Sequence, residues 1–465
     1  MNGALPFIAA AALLALALGF LARRGKDMNL EQWTVGGRGF GAIFVFLLLA
    51  GEIYTTFTFL GGSGFAYGKG APAYYILCYG TLAYVLSYFM LPPIWRYARE
   101  NRLYSQSDFF VRKYDSATLG IIVEIAGYGA ISSTLAIWIG AVVVAAYVMA
   151  SGVHGSAWTA VAKDTLILAI VIFLGIYLPY HYYGGLGSMF AAIDQAKPGF
   201  TVLPPHGESL WWFSSTVLLT ALGFYMWPHT FGSIYTARSA TVIRKNAIVL
   251  PLYQLILLFV FFVGFAATLQ VPGLTGPDID LALFKLSVKT FDPWFVGVIG
   301  ATGVLTALVP GSMILITAAT LIANNLYRAV DPSADDRQVS RLAKLLVPLV
   351  ALVAVFFTLK GGETIVALLL MGYSLVTQLF PSLVLSLAHR NIATREGAAA
   401  GIIAGVATVA AVSLTGANFH TLPWLPAQVQ DLNIGIVALA VNFVVLIVVS
   451  LAMRLAAAPA HAAAE

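Results

Sequence analysis

Apolar blocks about twenty residues long recur along the whole chain, and they limit its fold before any motif is considered. They run over approximately 4–22, 41–67, 72–95, 118–152, 160–180, 210–235, 246–269, 294–326, 345–359, 364–388, 397–416 and 432–453. The hydrocarbon core of a bilayer, about 30 Å thick, needs a block of this length for each helix. The blocks are too long and too free of alternation for barrel strands. Backbone facing lipid must satisfy its own hydrogen bonds, so the spans are helices. Composition agrees: 60% of the 465 residues are hydrophobic and 10% charged, against about a quarter charged in soluble chains. The expectation is an all-α polytopic membrane protein with roughly 12–13 transmembrane helices.

The basic residues orient these spans. Clusters fall at Arg23, Arg24, Lys26 and Arg38; at Arg96, Arg99, Arg102, Arg112 and Lys113; at Arg238, Arg244 and Lys245; and at Arg328, Arg337, Arg341 and Lys344. Arg390, Arg395 and Arg454 follow. Cytoplasmic loops are Lys/Arg-rich, which places the C-terminus in the cytoplasm. The same rule accounts for the net charge of +5 without nucleic acid. One transition breaks the even spacing: three blocks separate Lys113 from Arg238. Block 118–152 would be about 50 Å long as one helix. It therefore either crosses twice, breaking at Ser132–Thr134, or a helix is absent. The lone Cys78 excludes an internal disulfide framework. Block 4–22 has its charges after it, unlike a cleaved leader. The chain reads as one transmembrane domain, 1–465: a leading helix and loop (1–40), a core (41–390) and C-terminal flanking helices (391–465).

Transporters bind solutes and ions where helices unwind near mid-membrane. Block 41–67 holds Gly51-Glu52, then Thr55, Thr56 and Thr58, then Gly61-Gly62-Ser63-Gly64. Glycine lets backbone leave helical geometry; small residues also serve helix packing. The carboxylate and the three threonines favour a site. Block 210–235 carries Tyr225-Met226-Trp227-Pro228-His229, where proline frees a carbonyl and an intramembrane histidine is a site candidate. Lys163 and Asp164 open block 160–180, where a carboxylate at a helix N-terminus is at home. Pro310 and Pro381 interrupt two further blocks. No H-E-x-x-H or nucleophile-elbow motif is present, which argues against an enzyme.

With these features in place, the chain resembles the sodium:solute symporter family. The resemblance runs through Trp33–Arg38, Gly61–Gly70, Ser107–Tyr114 and Arg390–Gly397. Within the family it is most similar to bacterial monocarboxylate permeases, through Gly155–Asp164, the stretch from Trp227-Pro228-His229 to Arg244-Lys245-Asn246, and Tyr373 to Pro381. The resemblance implies an inverted-repeat core of five plus five helices with flanking helices, in the bacterial inner membrane. It implies cation-coupled uptake of small monocarboxylates (lactate, pyruvate, acetate) with no cofactor or obligate protein partner. The implied substrate residues are Thr55, Thr58, Gly61, Gly62, Ser63, Tyr225, Trp227, His229 and Gln378, with the carboxylate on N–H groups of an unwound Gly61–Gly64.

The coupling residues the resemblance implies are Gly51 and Tyr54, through backbone carbonyls if sodium binds, with Glu52 and Asp164. Two departures accompany it. Val309 and Pro310 stand where the family has hydroxyls for sodium, so proton coupling through His229, Glu52 or Asp164 is the alternative. One core helix is missing near 114–120, where the charge pattern also fails. Another solute of the same fold, such as proline or pantothenate, and a transporter-like metabolite sensor are the competing readings.

Overall fold

The structure, a computed structural model, describes residues 3–125, 134–360, 363–388, 391–415 and 425–462. Among the described residues it is helical throughout, apart from a single parallel bridge between Phe40 and Ala237. Nine helices among the described residues are long and apolar enough to cross a membrane, from Leu5–Arg23 to Ile434–Ala456. Ala42–Gly51 and Leu210–Met226 are apolar but shorter. Each of these two ends at a break and resumes, as Ser63–Lys69 and Pro228–Tyr235. Interruption of the helix is what makes them short.

Small residues let the helices approach. Ala11, Ala15, Gly19 and Ala22 form the buried face of Leu5–Arg23. A methyl group at Gly19 would lie 2.9 Å from the Tyr147 ring, so the helix packs backbone to ring there. The same closeness occurs at Gly264, against the Ser63 carbonyl.

The helix Thr134–Tyr183 contains a sharp reversal at Gly152, whose φ of 52° and ψ of −150° only glycine adopts freely. The hydroxyls of Tyr147 and Thr159 lie 2.9 Å apart across it. In a straight helix they would be separated by about 18 Å along the axis. The chain therefore turns back, and Lys163 and Asp164 fall well inside the second limb instead of opening a span. That corrects their expected position at a helix N-terminus.

The position of Gly152 also bears on the charge pattern. Trp33 donates to the Val148 carbonyl at 3.0 Å, and Arg38 to the Leu103 carbonyl at 2.6 Å. Arg112 reaches Asn101 at 3.1 Å. Gly152 thus lies at the same end of the molecule as Lys113. From Gly152 the chain reaches Arg238 at that end after two more traversals. At 114–120, where a core helix is expected to be missing, the helix Gln106–Tyr114 is followed within three residues by Ala117–Ile125, the start of block 118–152. The proposed break at Ser132–Thr134 lies largely outside the described residues.

Contacts between helix ends tie the basic end together. Trp95 donates to the Ala237 carbonyl at 2.8 Å and Arg99 to that of Arg238 at 3.1 Å. The side-chain amides of Asn324 and Asn325 both donate to Asp108 Oδ1, at 2.8 and 2.6 Å. At the opposite end, Asp280 accepts from the Ile365 N–H at 2.8 Å, and burial raises its carboxyl to about 6.

Gly152→Ala should lower stability by about 1–3 kcal/mol for the backbone conformation alone. An added methyl would also sit 2.5 Å from the Trp33 carbonyl oxygen. The readout is the melting temperature of the purified protein; an unchanged value would contradict the reversal.

Candidate functional site

The first broken helix leaves α-helical geometry at Glu52–Thr55 and re-forms with π-type bonding over Phe57–Gly62. The threonines hold this break. Thr58 Oγ1 donates to the Ile53 carbonyl at 2.7 Å and accepts from the Thr55 N–H at 3.2 Å. Thr55 Oγ1 accepts from the Phe57 N–H at 3.1 Å. Backbone groups freed inside a membrane protein need such partners. Thr55 and Thr58 are thus internal caps that shape the site.

The expected unwinding at Gly61–Gly64 is not found. These residues are helical and serve close packing. A methyl at Gly61 would lie 3.2 Å from Ile365, and one at Gly64 would lie 2.7 Å from the Ile279 carbonyl. Gly62 has more room, with Phe261 at 3.6 Å. Ser63 Oγ lies 2.9 Å from the Phe59 and Leu60 carbonyls of its own helix. With their N–H groups inside helical backbone, Gly61, Gly62 and Ser63 do not form the anion cradle expected from sequence.

The second break is where the sequence put it. Leu210–Gly223 gives way to a tight turn over Phe224–Met226, and Trp227 is extended before the helix restarts at Pro228. Proline is suited to a first helical position because it lacks the N–H that would be left unpaired. Gln106 donates to the freed Met226 carbonyl at 2.9 Å, and Thr230 Oγ1 to that of Trp227 at 2.6 Å. Tyr225 is buried, whereas Trp227 and His229 are partly open. Rings line this break: Trp227 stands edge-on to Tyr373 at 5.6 Å, and Tyr373 to Tyr79 at 5.7 Å. His229 lies 6.0 Å from Trp227, ring to ring.

A third break, Thr377–Leu379, separates Ile365–Val376 from Phe380–Ser386. Gln378, expected at the solute, points elsewhere. Its side-chain amide donates to the Ser374 carbonyl at 2.9 Å and accepts from Asn442 at 3.1 Å. Its oxygen also packs against Gly405. It ties the core to the flanking helices.

The first two breaks meet around Glu52. Both of its carboxylate oxygens are buried, with the Ser233 hydroxyl as their hydrogen-bonding neighbour; the Tyr225 hydroxyl faces Ser87, and the Thr56 hydroxyl has no partner among the described residues. Glu52 lies within electrostatic reach of Lys163 and of the Tyr84 and Tyr225 hydroxyls. Buried polar groups are normally fully paired, so this incompletely satisfied cluster marks a candidate binding place.

Beside it lies a cationic centre. Lys163 is fully buried and Asp164 is 3% exposed. The Lys163 ammonium lies 2.7 Å from Asp164 Oδ1 and donates to the Tyr54 carbonyl at 3.2 Å. The Asp164 contact is a buried ion pair. Breaking such a pair on one side costs about 3–5 kcal/mol. Sequence reasoning found Asp164 but missed Lys163, although the Lys-Asp pair inside an apolar block was its signal. Among the described residues no cluster of three or more His, Cys, Asp or Glu side chains could hold a metal.

Sodium, the ion the resemblance implies, finds a poor set of donors here. Val309 and Pro310 supply no side-chain oxygen. The nearby Ser312 hydroxyl is engaged with the Val309 carbonyl and Ser156 Oγ, each at 2.6 Å. Hard cations require several oxygen ligands.

Gln378→Ala should therefore cost about 1–3 kcal/mol of stability, by orphaning its buried partners, while leaving solute affinity unchanged. Melting and solute-binding titrations of the same sample separate the two effects; weakened binding at unchanged stability would return Gln378 to the site.

Comparison with known proteins accords with this architecture. The model of the sodium:solute symporter family matches residues 33–405. The uncharacterised symporter YhjB of Bacillus subtilis is 60% identical, over 98% of each chain. A protein of Rhizobium johnstonii named a monocarboxylate transport permease is 29% identical, over 97% of this chain and 96% of its own. Among solved structures, the substrate-bound outward-open state of a Na+-coupled sialic acid symporter superposes with a TM-score of 0.75 at 16% identity, covering 96% of this chain and 97% of that one. The chain belongs to the sodium:solute symporter family: it is a multi-pass membrane carrier and not an enzyme.

Proposed function

We propose that this carrier takes up small monocarboxylates of the lactate, pyruvate and acetate class by alternating access, coupled to a sodium or proton gradient. The observation that carries the reading is the meeting of the Glu52–Thr55 and Phe224–Trp227 breaks around the buried, incompletely satisfied polar groups of Glu52, Thr56, Tyr225 and Ser233. The helix Pro228–Tyr235 begins at this point, and a helix N-terminus favours an anion through its N–H groups and dipole. The solute carboxylate is assigned to this end, with His229 beside it, in place of the glycines at 61–64. Trp227, Tyr225 and Tyr373 form an apolar wall suited to a short carbon chain. The name of the Rhizobium relative supports the same class of substrate. The basic end faces the cytoplasm in this reading, because positive loops remain inside. The protein then sits in the bacterial cell membrane with its C-terminus cytoplasmic.

Purified protein in liposomes should accumulate labelled lactate or pyruvate when a cation gradient is imposed, and unlabelled acetate should compete. Accumulation of proline with no effect of carboxylates would replace the substrate class. Binding of a carboxylate without uptake under any gradient would favour a sensor. His229→Ala should lower uptake without lowering the yield of folded protein, whereas wild-type kinetics in this variant would make His229 a packing residue.

A further inference from the structure

We infer that the cation position of this carrier is filled by the chain's own Lys163 ammonium, so that the protein binds and moves its solute without sodium at that position. The inference deepens the carrier reading above, and rests on it only where uptake is measured.

The argument starts from where the ammonium lies. The first break exposes the Tyr54 carbonyl, and Lys163 Nζ donates to it at 3.2 Å. Asp164 faces the same nitrogen at 2.7 Å. A methyl built on Gly51 would approach Nζ to 3.0 Å and Val309 Cγ1 to 3.6 Å, so the ammonium is packed against the backbone of the break. Gly51, Glu52, Tyr54 and Asp164, with Val309 and Pro310 at the hydroxyl positions, are what the family resemblance associates with the coupling cation. Of these, Gly51, Tyr54 and Asp164 pack against the ammonium, while Glu52 lies within its electrostatic reach. In this chain they surround a nitrogen that already carries a positive charge.

The chemistry of each neighbour excludes a second cation beside it. A metal ion sharing the Tyr54 carbonyl and the Asp164 carboxylate would sit at contact distance from the ammonium in a medium of low dielectric, where like charges repel strongly. It would also lack the oxygens it needs, since Val309 is apolar, Pro310 has no hydroxyl, and Ser312 is turned to Ser156 and its own helix. The lysine does for the break what a bound ion would: it satisfies a freed carbonyl and neutralises a buried carboxylate. An ordinary interfacial lysine would instead extend its amine to water; this one is fully buried.

The test uses the full-length protein in detergent and in liposomes. Thermal unfolding is compared in sodium, potassium and choline chloride at equal ionic strength. The expected result is the same melting temperature in all three, and solute uptake unchanged when choline replaces sodium. A saturable, sodium-specific rise in the wild-type melting temperature, or uptake that requires sodium, would overturn the inference. Lys163→Ala removes the ammonium and leaves the Asp164 carboxylate and the Tyr54 carbonyl without it, so the folded variant should melt lower than the wild type in all three salts and lose solute uptake. A folded Lys163→Ala that melts and transports like the wild type would also overturn it. If the variant does not fold, the wild-type comparison decides. Wild-type protein that transports nothing in any salt fails the carrier reading, while the melting comparison still tests this one.

Discussion

A backbone carbonyl or N–H inside a bilayer must find a partner within the protein, and this requirement shapes everything else in the molecule. Helices meet it along most of the chain. Where three of them break, at Glu52–Thr55, Phe224–Trp227 and Thr377–Leu379, side chains take over. Thr58, Gln106, Thr230 and Lys163 each bind a carbonyl released at a break. Four residues from four different segments hold the unwound backbone in place.

The electrostatics follow from the same geometry. Opening a helix in the interior creates a site for a charge, and burying a charge requires a counter-charge. Lys163 and Asp164 supply one balanced pair. Glu52 has no such dedicated partner, although Lys163 is within reach of it. The solute region therefore borders an internally compensated pair on one side and, on the other, a carboxyl group whose neighbours are the Ser233 hydroxyl and, at longer range, Lys163. That asymmetry is suited to a carrier, whose site has to change occupancy without the fold coming apart.

Much of this was legible in the amino-acid sequence, for identifiable reasons. The helical class followed from block length. The break before Pro228 was visible because proline removes an N–H wherever it stands. The glycines at 61–64 misled because glycine serves both unwinding and close packing, and only the neighbouring Ile365 and Ile279 show which applies. Gln378 misled in a similar way: its amide suits a solute equally well, but Asn442, more than sixty residues further on, claims it. The odd charge pattern was a real signal: Gly152, at the end of block 118–152, lies at the same end of the molecule as Lys113, so that block does not count as one crossing. Hydropathy also started the next span too late, and Lys163 was taken for an interfacial residue as a result.

The central claim is that the breaks at Glu52–Thr55 and Phe224–Trp227 enclose a solute site reached from one face of the membrane at a time. Thr56 lies at this junction, partly open and with its hydroxyl unpaired. With Cys78 replaced by serine, a cysteine at position 56 can be challenged with a membrane-impermeant thiol reagent from each face of oriented vesicles. The account predicts labelling that a short carboxylate slows in a saturable way and that shifts between faces when the solute gradient is reversed. Labelling that is indifferent to every solute, or equal from both faces at once, would contradict it.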